Sequence, residues 1–519
     1  MGVDADVDVD VDVCERPKAS EQIGQTSTSC LQKFTIHFRR PAKLKQKKGS
    51  PPYKGDYGFD WLRDEYIYPI KIIEYDKTTN PEHPVINYRL PLCLDPKELR
   101  KEYLKITDKE TCDFKPYKQD YYPAWLSIFA CDVQGNNADA GSDMHKDGVY
   151  LDLQLNEIDK ISTDETEIFF EPSDPCLKIT PEKISISEFL KTKREEQIIY
   201  NKDEQPEINY YYYKLENAVK IICQGDTLKQ HEMIKVFAKL GPTKIEVGRL
   251  MVYKNDNIGK ANIFVVNVIT EDFNTNKVIP QSHPSLKDLY NCQSFNQAMI
   301  RAEVSTIENF DLVALKNENK DVYSFLHDAQ DPNYSDYDVK VSETPVKWIS
   351  GAINLMNRLC ALYKKYGKHA PEGKIDLKEK GNHNTYLFFT GLNSKLIKGV
   401  ANHKEDENNN IIEWGKEVMI FESGLTDDYT VVHEVGHSFS LFHTFDSNSP
   451  HIFYKGYTDN YMDYIFHRGV NQTFNQEVDV YNEYYPNKDY CKSKMHSFFK
   501  WQWDLMRKDL GIEKSIKDE

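Results

Sequence analysis

No stretch of the chain reaches the roughly 18 consecutive apolar residues that a membrane-spanning helix requires, so no such helix is expected. No Cys-x-x-Cys pair occurs among Cys14, Cys30, Cys93, Cys112, Cys131, Cys176, Cys223, Cys292, Cys360 and Cys491. That excludes a cysteine-built zinc module and a dense disulfide framework; buried thiols are the default, with room for one or two bridges. Positive charge is in deficit, with 66 Lys and Arg against 82 Asp and Glu and a formal charge of −16. Over most of its surface such a chain repels phosphate backbones and anionic membranes, so no nucleic-acid partner is expected. The N-terminus, Met1 to Val13, alternates Val with Asp and has neither a basic region nor a continuous apolar core, so no Sec leader is expected. The expectation is a protein that is cytoplasmic as made and that, if it leaves its cell, does so by a route that requires no cleaved leader.

What the sequence does contain is enough for two to four domains in 519 residues, at 39% hydrophobic and 12% aromatic content. Its 33 tyrosines suit β-rich, wet surfaces. Residues 1–30 form an acidic, low-complexity lead-in whose like charges oppose pairing. Over 31–158, short alternating runs between turn residues predict a β-rich domain, with strands at 66–73, 124–130 and 149–155. Over 159–272, regularly spaced runs such as 167–170, 219–223, 233–238 and 261–268 predict an immunoglobulin-like β-sandwich, a module that binds or spaces. The basic run Arg39 to Lys48 is a solvated loop or, less simply, a binding patch. His231-Glu232 has no histidine four residues after His231 and is taken as surface.

After a linker ending near Pro284 the pattern changes, and 285–519 reads as an α+β domain. Helices are expected at 295–304 and 348–363, and strands at 310–315, 385–390 and 418–421. Here lies His433-Glu434-Val435-Gly436-His437, followed by His443. On a helix, His433 and His437 share one face and present two imidazoles to one point, while Glu434 sits beside that point as a candidate general base. His443, six residues on, reaches the same point only if the helix ends near Ser440 and the chain turns back. Three neutral imidazoles leave one coordination position of a zinc ion open for water. His451 and His467 fit no zinc spacing and are taken as surface.

The HExxHxxxxxH spacing, with Asp459-Asn460-Tyr461-Met462-Asp463-Tyr464 downstream as a Met-turn, resembles the metzincin metalloproteases. The wording HEVGHSFSLFHTF with NYMDY is most similar to the pappalysin/cytophagalysin branch, and 498–507 resembles that branch's closing helix. One residue departs: Ser440 stands where the family has a glycine in a left-handed turn, a conformation that costs a non-glycine residue roughly 1 kcal/mol.

The resemblance implies an α/β/α zincin domain over 285–519 that hydrolyses peptide bonds, with zinc on His433, His437 and His443 and Glu434 as base. It also implies an edge strand between Lys398 and Trp414 that pairs with an extended protein or peptide substrate. Met462 would floor the histidines without ligating the metal. Tyr464 would either bind zinc reversibly or stabilise the oxyanion, or else simply pack. Gly55-Asp56-Tyr57-Gly58-Phe59-Asp60-Trp61-Leu62-Arg63 is similar to N-terminal segments of effectors associated with bacterial type VI secretion, though an aromatic turn packed on a sheet explains it as well. On that resemblance the chain is a secreted bacterial effector or toxin, with a secretion apparatus or target-cell protein as partner. The competing expectation is a binding or adhesion protein whose zinc domain has retired from catalysis. The sequence leaves the oligomeric state open.

Overall fold

The computed structural model describes residues 29–514, apart from 46–47, 76–83, 134–146, 201–205, 344–345, 371–383, 408–409, 465–469, 472–475, 478–494 and 510. It is a multidomain, sheet-rich protein. The acidic lead-in up to residue 28, Cys14, His467 and Cys491 lie outside the described residues.

Alternating burial along the first half produces two sheets facing one another. One is ordered Phe34–Arg39, Val149–Glu157, Pro206–Cys223, Leu177–Thr180, with Glu195–Tyr200 also on the long central strand. The other runs Lys183–Ser185, Glu167–Pro172, Glu232–Leu240, Thr243–Val252, Ala124–Ser127, Gly58–Asp60. Phe34, Ile36, Leu151 and Leu153 of the first sheet share one core with Ile168, Ile234, Val236 and Leu250 of the second. The division expected at residue 158 is therefore corrected. Val149–Glu157 pairs with Pro206–Cys223, and Ala124–Ser127 with Thr243–Val252, so both segments build one sandwich. Alternation shows which residues face inward but not which strands will be neighbours.

The boundary expected at 272 also moves. Strand Gly259–Glu271 is the centre of a separate sheet, hydrogen-bonded in parallel to Ile300–Asp311 and to Thr385–Thr390. Thr385–Thr390 runs parallel to Ile411–Ile420, and Gly399–Glu405 closes the row antiparallel to that strand. The helix expected at 295–304 is a 3₁₀ turn, Phe295–Ala298, leading into strand Ile300–Asp311. The strand expected at 310–315 is only the end of that strand, followed by the short helix Leu312–Leu315. Residues 66–67 likewise sit in a short helix, Asp64–Ile67, ahead of strand Ile70–Tyr75. Helix Gly351–Tyr366 begins slightly later than its pattern suggested, because 348–350 belong to a strand.

Side chains alternate between the two faces of this sheet. Tyr386, Phe388, Met419 and Phe421 pack with Leu355 and Leu359 of helix Gly351–Tyr366. Leu387, Phe389, Val418 and Ile420 pack with Val431, Val432 and Val435 of helix Asp428–Ser438. The same cluster continues into Trp125 and Met251 of the sandwich, so the two halves share buried apolar surface.

The basic run turns inward at its start. Arg39 donates to Gln154, and Arg40 pairs with Asp459 at 2.8 Å. Residues 55–63 contribute the edge strand Gly58–Asp60 and the buried Arg63, which also meets Asp459. His231 is half-buried rather than exposed: its ring lies 4.5 Å from Tyr253 and 5.3 Å from Trp125, and burial pushes its pKa down to about 4. His451 is likewise buried, against Trp501. All eight described cysteines are free thiols, and Cys30, Cys93, Cys112, Cys223 and Cys360 are buried.

Candidate metal centre

Helix Asp428–Ser438 carries four β-branched residues, Thr430, Val431, Val432 and Val435, which are poor helix formers in isolation. The helix is held instead by its ends and its apolar face. Asp427 caps it by accepting from the Tyr429 amide, and the three valines press onto the sheet. At the other end Phe439 leaves helical geometry, and Ser440 takes φ +66°. This is the turn required to bring His443 back. Ser440 occupies the left-handed conformation as serine, with its hydroxyl donating to Asp509 at 2.5 Å. Lys416 donates to both the Ser438 carbonyl and Asp509, tying the turn to strand Ile411–Ile420.

The turn places His433, His437 and His443 together, all buried, with their ligand nitrogens within 4.8 Å of one another. Each ring is anchored through Nδ1. His433 meets the Tyr461 carbonyl at 2.7 Å, His437 the Leu441 carbonyl at 2.7 Å, and His443 the Asp446 carboxylate at 2.8 Å. These oxygens can only accept, so each proton sits on Nδ1 and each Nε2 keeps its lone pair. Burial drives the His433 pKa down to about 3, and that of His437 well below its ordinary value, with neighbouring imidazoles adding to both. The His433 and His437 rings are therefore neutral. The Nε2 atoms of His433 and His437 are 3.2 Å apart. Two nitrogens at about 2.0–2.1 Å from one tetrahedral ion would be about 3.3 Å apart. The donor set thus fits a metal ion.

Glu434 is partly buried beside the edge strand. Gly399 lies so close that a Cβ there would come within 2.7 Å of the Glu434 Cγ. Loss of hydration pushes the carboxyl up to about 8, a shift opposed by the Ala401 amide that donates to it. Met462 is fully buried and lies against Gly436 of the helix. The Tyr464 ring stands 4.9 Å from His443 and 5.6 Å from His433, packed also on Phe445.

Four supporting residues were not singled out from the sequence. Asp446 follows His443 by three positions, and Tyr429 precedes His433 by one helical turn, with its hydroxyl 3.0 Å from His433 Nδ1. Those spacings were visible signals. Trp414 and Asp509 gave none: Trp414 stacks on His437 with ring centres 3.6 Å apart, and both residues reach the site only through the tertiary fold.

Compared with known proteins, the chain matches no protein-family model and no curated protein sequence. The site is therefore read from its own geometry. A buried histidine triad that can hold a metal ion stands next to a carboxyl of raised proton affinity, beneath the edge of a sheet.

Proposed function

We propose that the protein is a zinc-dependent endopeptidase of the metzincin kind, with His433, His437 and His443 as ligands and Glu434 as general base. The observation that carries this reading is the anchoring of all three rings at Nδ1, which leaves three Nε2 atoms free to converge on one point next to the Glu434 carboxyl. Three protein ligands are the number found at catalytic zinc sites, whereas structural sites use four. When bound, zinc supplies Lewis acidity, acidifying a water and polarising a carbonyl.

The chain's own groups do the rest. Glu434, with its raised proton affinity, takes the proton of the attacking water and returns it to the leaving amine. Tyr464, packed on His443 and Phe445, would stabilise a developing oxyanion through its phenol. Strand Gly399–Glu405 lies at the rim of its sheet, and among the described residues its outer side carries no further strand. An extended peptide added there would be held by backbone hydrogen bonds, independently of its side chains. The antiparallel rim strand and the left-handed turn at Ser440 both support the metzincin reading. Presence of the base argues against a retired site.

Zinc analysis combined with casein or gelatin cleavage tests the proposal. Wild type and Glu434→Gln should each hold one equivalent of zinc, and only wild type should cleave. Undiminished cleavage by the variant would remove Glu434 from the mechanism. No cleavage by wild type across a peptide library would favour a binding role.

A further inference from the structure

We propose that the β-sandwich is part of the metal centre: Arg63, helped by Arg40, holds Asp459 and through it sets the Tyr461 carbonyl that orients His433. The inference rests on the zinc reading above and assigns Arg63 and Arg40 as positioning residues.

The path is short and buried. Asp459 is 2% exposed and Arg63 3% exposed. One guanidinium nitrogen of Arg63 donates to both carboxylate oxygens, at 2.9 and 3.0 Å, and Arg40 donates to one of them at 2.8 Å. His496 lies 3.3 Å from the same carboxylate, and the Ser497 hydroxyl donates to it at 2.8 Å. Two residues further on, the Tyr461 amide donates to the Ser497 carbonyl, and the Tyr461 carbonyl accepts from His433 Nδ1. Asn460, between them, is locked to Gln502 at 2.6 Å. The segment that fixes the His433 tautomer thus begins at a carboxylate gripped from a strand end almost 400 residues earlier.

The segment is buried in the core, and charge adds to its packing at Asp459. A cavity of about 440 Å³ opens beside Arg40, Arg63 and Asp459, so on that side the carboxylate is held by its charged and polar partners. The guanidinium groups are themselves pre-set by aromatic rings. Arg63 lies 4.5 Å from the Trp61 ring centre, and Arg40 lies 4.6 Å from that of Tyr53. Planar, stacked guanidinium groups lose less freedom on binding a carboxylate than a lysine would, which makes arginine the fitting residue here.

The test compares full-length wild type with Arg63→Ala, Arg63→Lys, Arg40→Ala and Asp459→Asn. It reads zinc affinity by chelator competition, the visible spectrum after cobalt substitution, and kcat separately from KM. Arg63→Ala and Asp459→Asn should weaken zinc by about tenfold to a hundredfold, alter the cobalt spectrum and lower kcat while leaving KM unchanged. Arg63→Lys should recover part of the affinity, and Arg40→Ala should show a smaller loss of the same kind. A purely structural pair would lower thermal stability but leave the folded protein's zinc affinity and cobalt spectrum at wild-type values, which would overturn the proposal. If Arg63→Ala does not fold, Arg40→Ala and Asp459→Asn decide in the same way. Wild type that binds no zinc would overturn the zinc reading itself, whereas wild type that binds zinc beside unaltered variants overturns this inference alone.

Discussion

Gly436 and Met462 touch where any larger residue would collide: a Cβ on residue 436 would stand 2.8 Å from the Met462 Sδ. The contact lies between the two helical ligands, His433 and His437. The Met462 side chain is fully buried and has little room to retreat, and its backbone is held by an amide that donates to Asn460 Oδ1 at 2.8 Å and by a carbonyl that accepts from Thr444 at 3.0 Å. Gly436→Ala should therefore cost about 1–3 kcal/mol through overpacking. Met462→Ala should cost about 2–5 kcal/mol through the cavity it leaves, and Met462→Leu under about 1.5 kcal/mol. The double variant Gly436→Ala/Met462→Ala should be less destabilised than the sum of its parts, since the new methyl enters the space the thioether vacates. Denaturant titration of the four proteins measures this, and strict additivity would show that the two residues are not in energetic contact.

The left-handed turn supplies a second prediction. Ser440 pays roughly 1 kcal/mol for its backbone conformation but keeps a hydrogen bond to Asp509. Ser440→Gly relieves the first and loses the second, so its stability should stay within about 1 kcal/mol of wild type. Asp509→Ala is a different case. Lys416 is 14% exposed and Asp509 6%, so the variant leaves a largely buried ammonium without its carboxylate. A loss of about 3 kcal/mol is expected. Equal effects of the two variants, read by urea unfolding, would show that the serine hydroxyl and not the ion pair holds the turn.

These two contacts also mark how far the sequence could be read. The convergence of His433, His437 and His443 was legible because its geometry is local: a helical repeat, a turn, and a short return. The turn at Ser440 was legible even though its residue type was unusual, because only a reversal there lets His443 converge. The sandwich was legible as strands but not as one body. The pairing of Val149–Glu157 with Pro206–Cys223 spans several intervening strands, and alternation carries no information about partners. Strand Gly259–Glu271 was assigned to the wrong sheet for the same reason. Trp414, Asp509 and the Arg63–Asp459 pair meet only after folding, so no spacing announced them.

A third prediction concerns a buried acid outside the histidine triad. Glu65 is 2% exposed, its Oε1 has no hydrogen-bond partner among the described residues, and burial raises its pKa from the ordinary 4.5 to about 7. The folded state therefore holds this proton to higher pH than the unfolded chain does. Its contribution is complete below pH about 4.5 and is lost as pH rises towards about 7, a change of about 3 kcal/mol. Glu65→Gln removes the titration while keeping the shape. The variant should be more stable than wild type at pH 8, and the gap should close as pH falls to about 4.5. Urea midpoints at pH 4.5, 6 and 8 measure it, and parallel pH profiles for the two proteins would reject the assignment.

The last prediction separates charge from geometry at the third ligand. Asp446 Oδ2 accepts from both the His443 ring, at 2.8 Å, and the His443 amide, at 3.2 Å, so one carboxylate fixes the ring's tautomer and the backbone that carries it. A carboxylate in this place raises the basicity of the imidazole as well as aiming it. Asp446→Asn keeps an oxygen able to accept from Nδ1 but removes the charge, whereas Asp446→Ala removes both. Zinc affinity should fall by about tenfold to a hundredfold for alanine and by clearly less for asparagine, with the order wild type, Asn, Ala. If asparagine is as damaging as alanine, the negative charge is the whole contribution. If it equals wild type, Asp446 acts only by aiming His443, and the electrostatic part of the argument falls.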